Sequence, residues 1–205
     1  MYRLEDGLEH DRFANVKIAI LGATGLLGSA VCRAALRRKY KVHPYSFSGA
    51  DNLPEVGPIG SLDLLEGEEL ARTLFDLWPE AIINCAAVSS PDTVDEDPAH
   101  ARRVNVDAAE KLGQIASHLG VRYLHVSTDL VFDGTASPYR STDVPAPVNE
   151  YGRQKLDAET RVLEACEDNV VVLRITLLNG NSPTGQRSQH EKLLRAMVAG
   201  QTPTL

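Results

Sequence analysis

Val16-Lys-Ile-Ala-Ile-Leu-Gly-Ala-Thr-Gly-Leu-Leu-Gly-Ser-Ala-Val31 is the stretch that decides the fold of this chain. Val16 to Leu21 is a short apolar run of the kind that forms a strand buried on both faces, and Leu26, Leu27, Ala30, Val31 and Ala34 then recur at helical spacing. Between them lies the turn Gly22-Ala-Thr-Gly-Leu-Leu-Gly28. Strand, glycine turn and helix in that order present backbone N–H groups and the positive end of a helix to an anion, as a dinucleotide pyrophosphate requires. An ATP-binding P-loop would end in Gly-Lys-Ser/Thr. Here Gly28 is followed by Ser29-Ala30, so a kinase or ATPase is set aside.

Outward from the turn, helices and strands alternate. Val42–Ser46 and Pro58–Leu62 read as short strands. Leu70, Leu74 and Leu77 mark a helix that Pro79 ends, and Ala81-Ile-Ile-Asn-Cys85 is the next strand. One long helix is expected from Pro98 to Leu119, a strand from Val121 to Val126, a helix from Tyr151 to Cys166, a last strand at Val170–Ile175 and a helix at Glu191–Val198. Nearly all-apolar strands separated by helices predict an α/β fold, a doubly wound parallel sheet covered on both faces. Such sheets bind ligands at the carboxyl ends of their strands, and polar residues gather there: Gly22 to Gly28, Asn84, and Ser127 to Asp129. Segments 47–60 and 133–149, rich in Pro, Gly, Asp and Ser, are expected as surface loops, and Asp92–Asp97 as a solvated loop before the helix that starts at Pro98.

With 205 residues the chain is expected to form one core-bearing domain. Its 21 basic and 28 acidic residues give a formal charge of −7, which offers no general attraction to nucleic acid or an acidic membrane. Cys32, Cys85 and Cys166 are widely spaced and read as reduced interior thiols, and neither they nor the histidines show metal-ligand spacing, so no metal is expected. Met1 to His10 is polar and acidic, unlike a signal peptide, and no run reaches the roughly 20 apolar residues of a membrane span. A soluble cytoplasmic protein is the expectation.

The run Asn149-Glu-Tyr-Gly-Arg-Gln-Lys155 carries the chemistry. Tyr151 and Lys155, four apart, share one helix face. An ammonium beside a phenol favours its ionised form, and a phenol so tuned can pass a proton to a carbonyl oxygen and take it back. A solvated helix turn would also accommodate the pair.

Gly22–Gly28, Asn84-Cys-Ala-Ala87, Asn105-Val106, Ser127-Thr-Asp-Leu-Val-Phe-Asp-Gly134, Pro138-Tyr-Arg140 and Tyr151-Gly-Arg-Gln-Lys155, taken together, resemble the extended short-chain dehydrogenase/reductases. Within them the pattern is most similar to the dTDP-4-dehydrorhamnose reductases, and next to the methionine adenosyltransferase regulatory beta subunits. The resemblance implies a Rossmann fold and a pyrophosphate site at Gly22, Thr24, Gly25, Leu26, Leu27 and Gly28. Ala86 and Ala87 would lie beneath the cofactor, and Asp63 would touch its adenine end. Tyr151 would be the proton donor, Lys155 would bind the nicotinamide ribose and lower the tyrosine pKa, and Thr128 would hydrogen-bond the carbonyl oxygen. Asn105 would help to hold Lys155 and a relay water; capping or a surface role is the alternative for Asn105 and Asp63. Asp129 and Arg174 face the expected substrate, Arg174 meeting a phosphate or closing an ion pair.

The resemblance further implies reduction of a 4-keto-6-deoxy sugar nucleotide, because Leu130 stands where related dehydratases carry a glutamate. The rival is a regulatory subunit that keeps the cofactor site. An acid about 20 residues beyond the glycines would suit NAD and an arginine NADP. His43–Ser48 has neither and Asp51 comes late, which leaves NADP and NAD open with a lean to NADPH. The implied organisation is an N-terminal extension (1–15), an NAD(P)-binding Rossmann domain (16–180) and the start of a truncated substrate-binding region (181–205). A homodimer through the helices Pro98–Leu119 and Tyr151–Cys166 is implied as well, unless their apolar stripe faces the sheet.

Overall fold

The computed structural model describes residues 15–47, 52–166, 168–186 and 188–201. Asp51, Ser48 and nearly all of the N-terminal extension lie outside the described residues.

The opening strand β1, Lys17–Leu21, sits mid-sheet, with β2 (Lys41–Ser46) on one side and β6 (Ala81–Asn84) on the other. β5 (Gly60–Ser61) extends the β2 side, while β7 (Arg122–Thr128) and β8 (Val170–Ile175) extend the other. All these pairings are parallel, and the order β5-β2-β1-β6-β7-β8 reverses direction at β1. That order is the doubly wound Rossmann architecture, and the reversal opens a crevice between β1 and β6 where a ligand can enter.

Alternation along β1 divides the core. Ile18 and Ile20 pack with Cys32 and Val31 of helix α1, Leu26–Arg37. Ala19 and Leu21 belong to the larger core built by α2 (Gly67–Leu77), α5 (Ala108–Leu119) and α6 (Glu150–Cys166). Within that core and the smaller cluster at Tyr151, Ala101, Leu112 and Ile115 are buried, so most of the stripe considered for a dimer is spent inside the chain. The outward sides of α5 and α6 carry the ion pairs Arg161–Glu110 and Arg161–Asp157.

Four expectations change. Asp92–Asp97 is not a loop: Pro91–Glu96 is helix α3, which Pro91 starts and Val94, fully buried, anchors. The long helix from Pro98 is interrupted. α4 (Pro98–Arg102), whose cap Asp97 accepts a bond from His100 N at 3.0 Å, passes into a π-helical turn at Arg103–Asp107 before α5 begins. The expected strand at Pro58–Leu62 is split between a small antiparallel pair, β3 (Asn52–Leu53) with β4 (Gly57–Pro58), and β5. Finally β8 is not covered on both faces, since Val171 and Leu173 are 58% and 45% exposed on an edge strand. After β8 the chain reaches α7, Gln189–Val198, which opens on a reciprocal capping box between Ser188 and Glu191. Among the described residues no helix is long and apolar enough to cross a membrane.

Candidate cofactor and catalytic site

The three glycines of the first turn have different jobs. Gly22 has φ 77° and lies so close to β6 that a Cβ there would sit 2.7 Å from Ala86 N. At Gly28 a Cβ would lie 2.1 Å from the Gly22 carbonyl oxygen, so this glycine lets α1 close onto the strand. Gly25 faces open space apart from that same carbonyl, at 3.2 Å. It is the N-cap of α1, whose first turn has no side-chain cap and no acid. A helix end left in this way attracts an anion, and the missing side chain at Gly25 is the gap through which a diphosphate can approach the backbone. The turn therefore fits a dinucleotide pyrophosphate.

Around it, Leu26 and Leu27 are half-buried in the first turn of α1, and the Thr24 hydroxyl bonds that of Ser46 at the end of β2, 2.8 Å away. Ala86 and Ala87 line the end of β6, where Asn84 Oδ1 accepts from Ala86 N at 3.0 Å. Asp63 accepts from Leu65 N at 2.9 Å, which steadies the bend from β5 into α2.

Two of the catalytic candidates, Thr128 and Lys155, come to the carboxyl end of β7. Thr128 ends that strand; its hydroxyl accepts from Leu130 N and donates to Asp129 Oδ1, each at 3.2 Å. The chain then makes a 3-10 turn, Asp129–Val131, against which α6 packs closely: a Cβ on Gly152 would be 2.3 Å from the Leu130 carbonyl. Asn149 Oδ1 accepts from Gly152 N at 2.7 Å and fixes the start of α6. The glycine beside Tyr151 thus lets the start of α6 close onto this turn, while Tyr151 itself packs with Val94, Ala101 and Val88.

The Tyr–Lys relation differs from expectation. Burial, and then the charge of Asp129, push the Tyr151 phenol up to about 12, so in this structure its ionised form is disfavoured. Lys155, 2% exposed, instead donates to the Val126 carbonyl at 2.7 Å and meets His125 Nε2 at 3.1 Å. Burial lowers Lys155 to about 8, against the opposing pull of Glu159 and Cys85. Cys85 is itself raised to about 12, chiefly by burial.

Two other candidates are engaged elsewhere. The Asn105 amide clamps Val88, accepting from its N–H at 2.9 Å and donating to its carbonyl at 3.1 Å, and it also donates to Gln154 Oε1 at 3.2 Å. It sits on the π-helical turn and holds the loop after β6 rather than Lys155. Arg174 closes an ion pair: its Nε and Nη2 reach both oxygens of Glu159 at 2.6–3.1 Å. Its guanidinium also lies 5.1 Å from the Phe132 ring centre, and Phe132 stacks on Tyr139 at 4.3 Å, which ties the 133–149 loop to β8.

Sequence reasoning missed Tyr123, His125, Gln154 and Glu159, all at most 3% exposed. A signal for them exists. Tyr123, His125 and Ser127 alternate along β7 and so share one face, opposite Leu124 and Val126, and Glu159 continues the helix face of Tyr151 and Lys155. The Ser127 hydroxyl donates to Glu159, and the Tyr123 hydroxyl meets His125 Nδ1 at 3.3 Å.

Comparison with known proteins gives a consistent grouping. The model of the RmlD substrate binding domain matches residues 16–199. Methionine adenosyltransferase 2 subunit beta of Pongo abelii is 37% identical over 172 residues, 84% of this chain and 50% of that protein. A probable low-salt glycan biosynthesis reductase of Haloferax volcanii is 33% identical over 162 residues, 78% of this chain and 53% of that one. Among solved structures, dTDP-4-dehydrorhamnose reductase from Yersinia enterocolitica is 29% identical with a TM-score of 0.74, covering 91% of this chain and 61% of that one. The Bacillus anthracis dTDP-4-dehydrorhamnose reductase, in complex with NADP, shares the fold at 23% identity and a TM-score of 0.77, over 90% of this chain and 61% of its own. The chain spans about half the length of the curated relatives it matches.

Proposed function

The chain belongs to the RmlD substrate-binding-domain family, and from that premise we propose that it binds NADP or NAD and serves in the reduction of the ketone of a 4-keto-6-deoxy sugar nucleotide. The observation that carries this reading is that Thr128 ends β7, Lys155 Nζ bonds the Val126 carbonyl of that strand and Gly152, next to Tyr151, packs on the Leu130 carbonyl just beyond it, in the same sheet whose β1–β6 crevice holds the glycine turn. A nicotinamide bound there would supply the hydride. The glycine turn and the end of α1 would hold the pyrophosphate, with Ala86 and Ala87 beneath the cofactor and Asp63 near its adenine end.

The protein's own task is the proton. A phenol raised to about 12 stays protonated at neutral pH and gives its proton to the ketone oxygen as that oxygen gains charge. The Thr128 hydroxyl, which donates to Asp129 here, would turn toward the same oxygen, and a fixed donor aimed at developing charge does most of its work in the transition state. Lys155 adds a cation at the ribose side.

A second reading has its own support. The 37% identity is to regulatory beta subunits, and Lys155 is turned toward His125 and Val126 in this structure. On that reading the dinucleotide is structural or sensing, and the partner is a methionine adenosyltransferase. The deciding experiment supplies the full-length protein with NADPH and a dTDP-4-keto-6-deoxy sugar. NADPH oxidation supports the reductase; its absence, with tight association to a methionine adenosyltransferase, supports the regulator. A homodimer across the outer faces of α5 and α6 belongs to the same proposal, and a monomeric mass by light scattering would remove it.

A further inference from the structure

We propose that His125 is a positioning residue for Lys155: its Nε2 fixes the lysine ammonium at the carboxyl end of β7 and keeps it available as a cation to a bound dinucleotide. The inference deepens the cofactor reading above and rests on it. An ammonium has three donors and no lone pair, so at 3.1 Å His125 Nε2 must be the acceptor and the imidazole proton must sit on Nδ1. That proton points to the Tyr123 hydroxyl at 3.3 Å, which also receives Asn84 Nδ2 at 3.4 Å and can pass its own proton to the Ala109 carbonyl at 3.4 Å. His125 and Tyr123 then each give their one proton to an acceptor, Lys155 gives two of its three to His125 Nε2 and Val126 O, and only this tautomer lets the row run on to the Ala109 carbonyl. The row runs from α6 through β7 to α5, and Asn84 joins it to the end of β6, where its Oδ1 accepts from Ala86 N.

His125 is suited to the part because it does not compete for charge. Burial, with Lys155 second, holds it down to about 2, so it remains a neutral acceptor while its neighbour carries the proton. The groups facing Lys155 are His125 on β7, Cys85 just after β6 and Glu159 on α6; Glu159 is shared with Arg174 and Ser127, and Cys85 remains a thiol. Apart from the Val126 carbonyl, His125 is the hydrogen-bond partner of the ammonium. Without it a buried cation loses half of its bonding, and the neutral amine gains.

The test uses the full-length protein and NADP as the probe, with affinity measured by calorimetry from pH 6 to 9.5 in the wild type, His125→Phe and His125→Gln. Wild-type affinity should fall as pH rises through the region of about 8 where Lys155 loses its proton. In His125→Phe the fall should move down by about one pH unit, the effect of one lost hydrogen bond to a charged group. His125→Gln, whose amide oxygen reaches where Nε2 stood, should restore most of it, a result a merely space-filling residue would not give. A folded His125→Phe with the wild-type profile overturns the proposal. If His125→Phe does not fold, His125→Asn, too short to reach Nζ, replaces it. Nitrogen NMR of the lysine Nζ without NADP separates the two layers: a wild type that binds no NADP sinks the cofactor reading, while the shift or constancy of the Lys155 titration still decides the role of His125.

Discussion

Lys155→Met offers a quantitative check on the buried cation. The lysine has its proton affinity lowered from 10.5 to about 8 in the folded chain, a gap of about 2.5 units. At about 1.4 kcal/mol per unit, holding Lys155 charged costs the fold about 3 kcal/mol. The sign follows from the protons bound. Between pH 8 and 10.5 the unfolded chain keeps the proton that the folded chain has released, so stability rises with pH across that window; the gain is complete above 10.5 and lost as pH falls through 8. Cys32 and Cys85 act the other way, because burial raises them to about 11 and about 12, and unfolded thiols begin to ionise near 9. Subtracting the Lys155→Met curve removes the burial effect on both, since that variant keeps the thiols, and leaves only the smaller pull of Lys155 on Cys85. The polar groups it strands, Val126 O and His125 Nε2, add an offset that does not change above pH 7, where His125 is neutral in either protein. Urea unfolding at intervals from pH 7 to 10.5 should show the wild type gaining about 3 kcal/mol relative to Lys155→Met. A difference that stays flat would mean that Lys155 is not buried as a cation, and the electrostatic account of the site would fall with it.

Other substitutions separate binding, chemistry and structure. Gly25→Ala, which meets only the Gly22 carbonyl at 3.2 Å, should fold and lose tenfold or more of its NADP affinity, on the order of one lost charged contact; calorimetry showing unchanged affinity would contradict the pyrophosphate site. Gly28→Ala, forced to within 2.1 Å of the same carbonyl, should instead lose roughly 2 kcal/mol or more of stability in urea, and a wild-type midpoint would disprove the packing argument. Tyr151→Phe should lower kcat about 10²–10⁴-fold with the NADPH Kd unchanged, and wild-type turnover would exclude the phenol as proton donor. Glu159→Gln, which breaks the fork to Arg174 at a carboxylate side chain only 5% exposed, should cost about 3 kcal/mol, and a loss under half of one would show the pair to be incidental.

How much of this was readable beforehand depends on the range of the constraint. The glycine turn was legible because each glycine answers to backbone within a strand and a turn of itself, apart from the close approach of Gly22 to Ala86. The parallel sheet was legible from apolar strands, although β8 shows the limit: its composition matches the central strands, but it lies at an edge. Helix α3 was hidden because four of its six residues are Pro or acidic, and the one that fixes it, Val94, is apolar by itself and buried only by tertiary packing. The π-helical turn at Arg103–Asp107 leaves no mark in the period of the apolar residues, yet it is where Asn105 turns in to clamp Val88.

The site itself shows why spacing alone falls short. Tyr151 and Lys155 do share a helix face, but a face fixes where a side chain starts and not where its tip goes. The destination of the lysine is set by β7, a strand distant in sequence, which places an imidazole and a carbonyl within 3.1 Å of Nζ. The pair is thus divided rather than joined: burial favours the protonated phenol, while the cation is held by other groups. A proton donor that need not ionise until hydride arrives requires no permanent cation against it. A dinucleotide bound as proposed would therefore meet the two side chains as separately held groups, the lysine fixed by β7 and the tyrosine packed beside Val94 and Ala101.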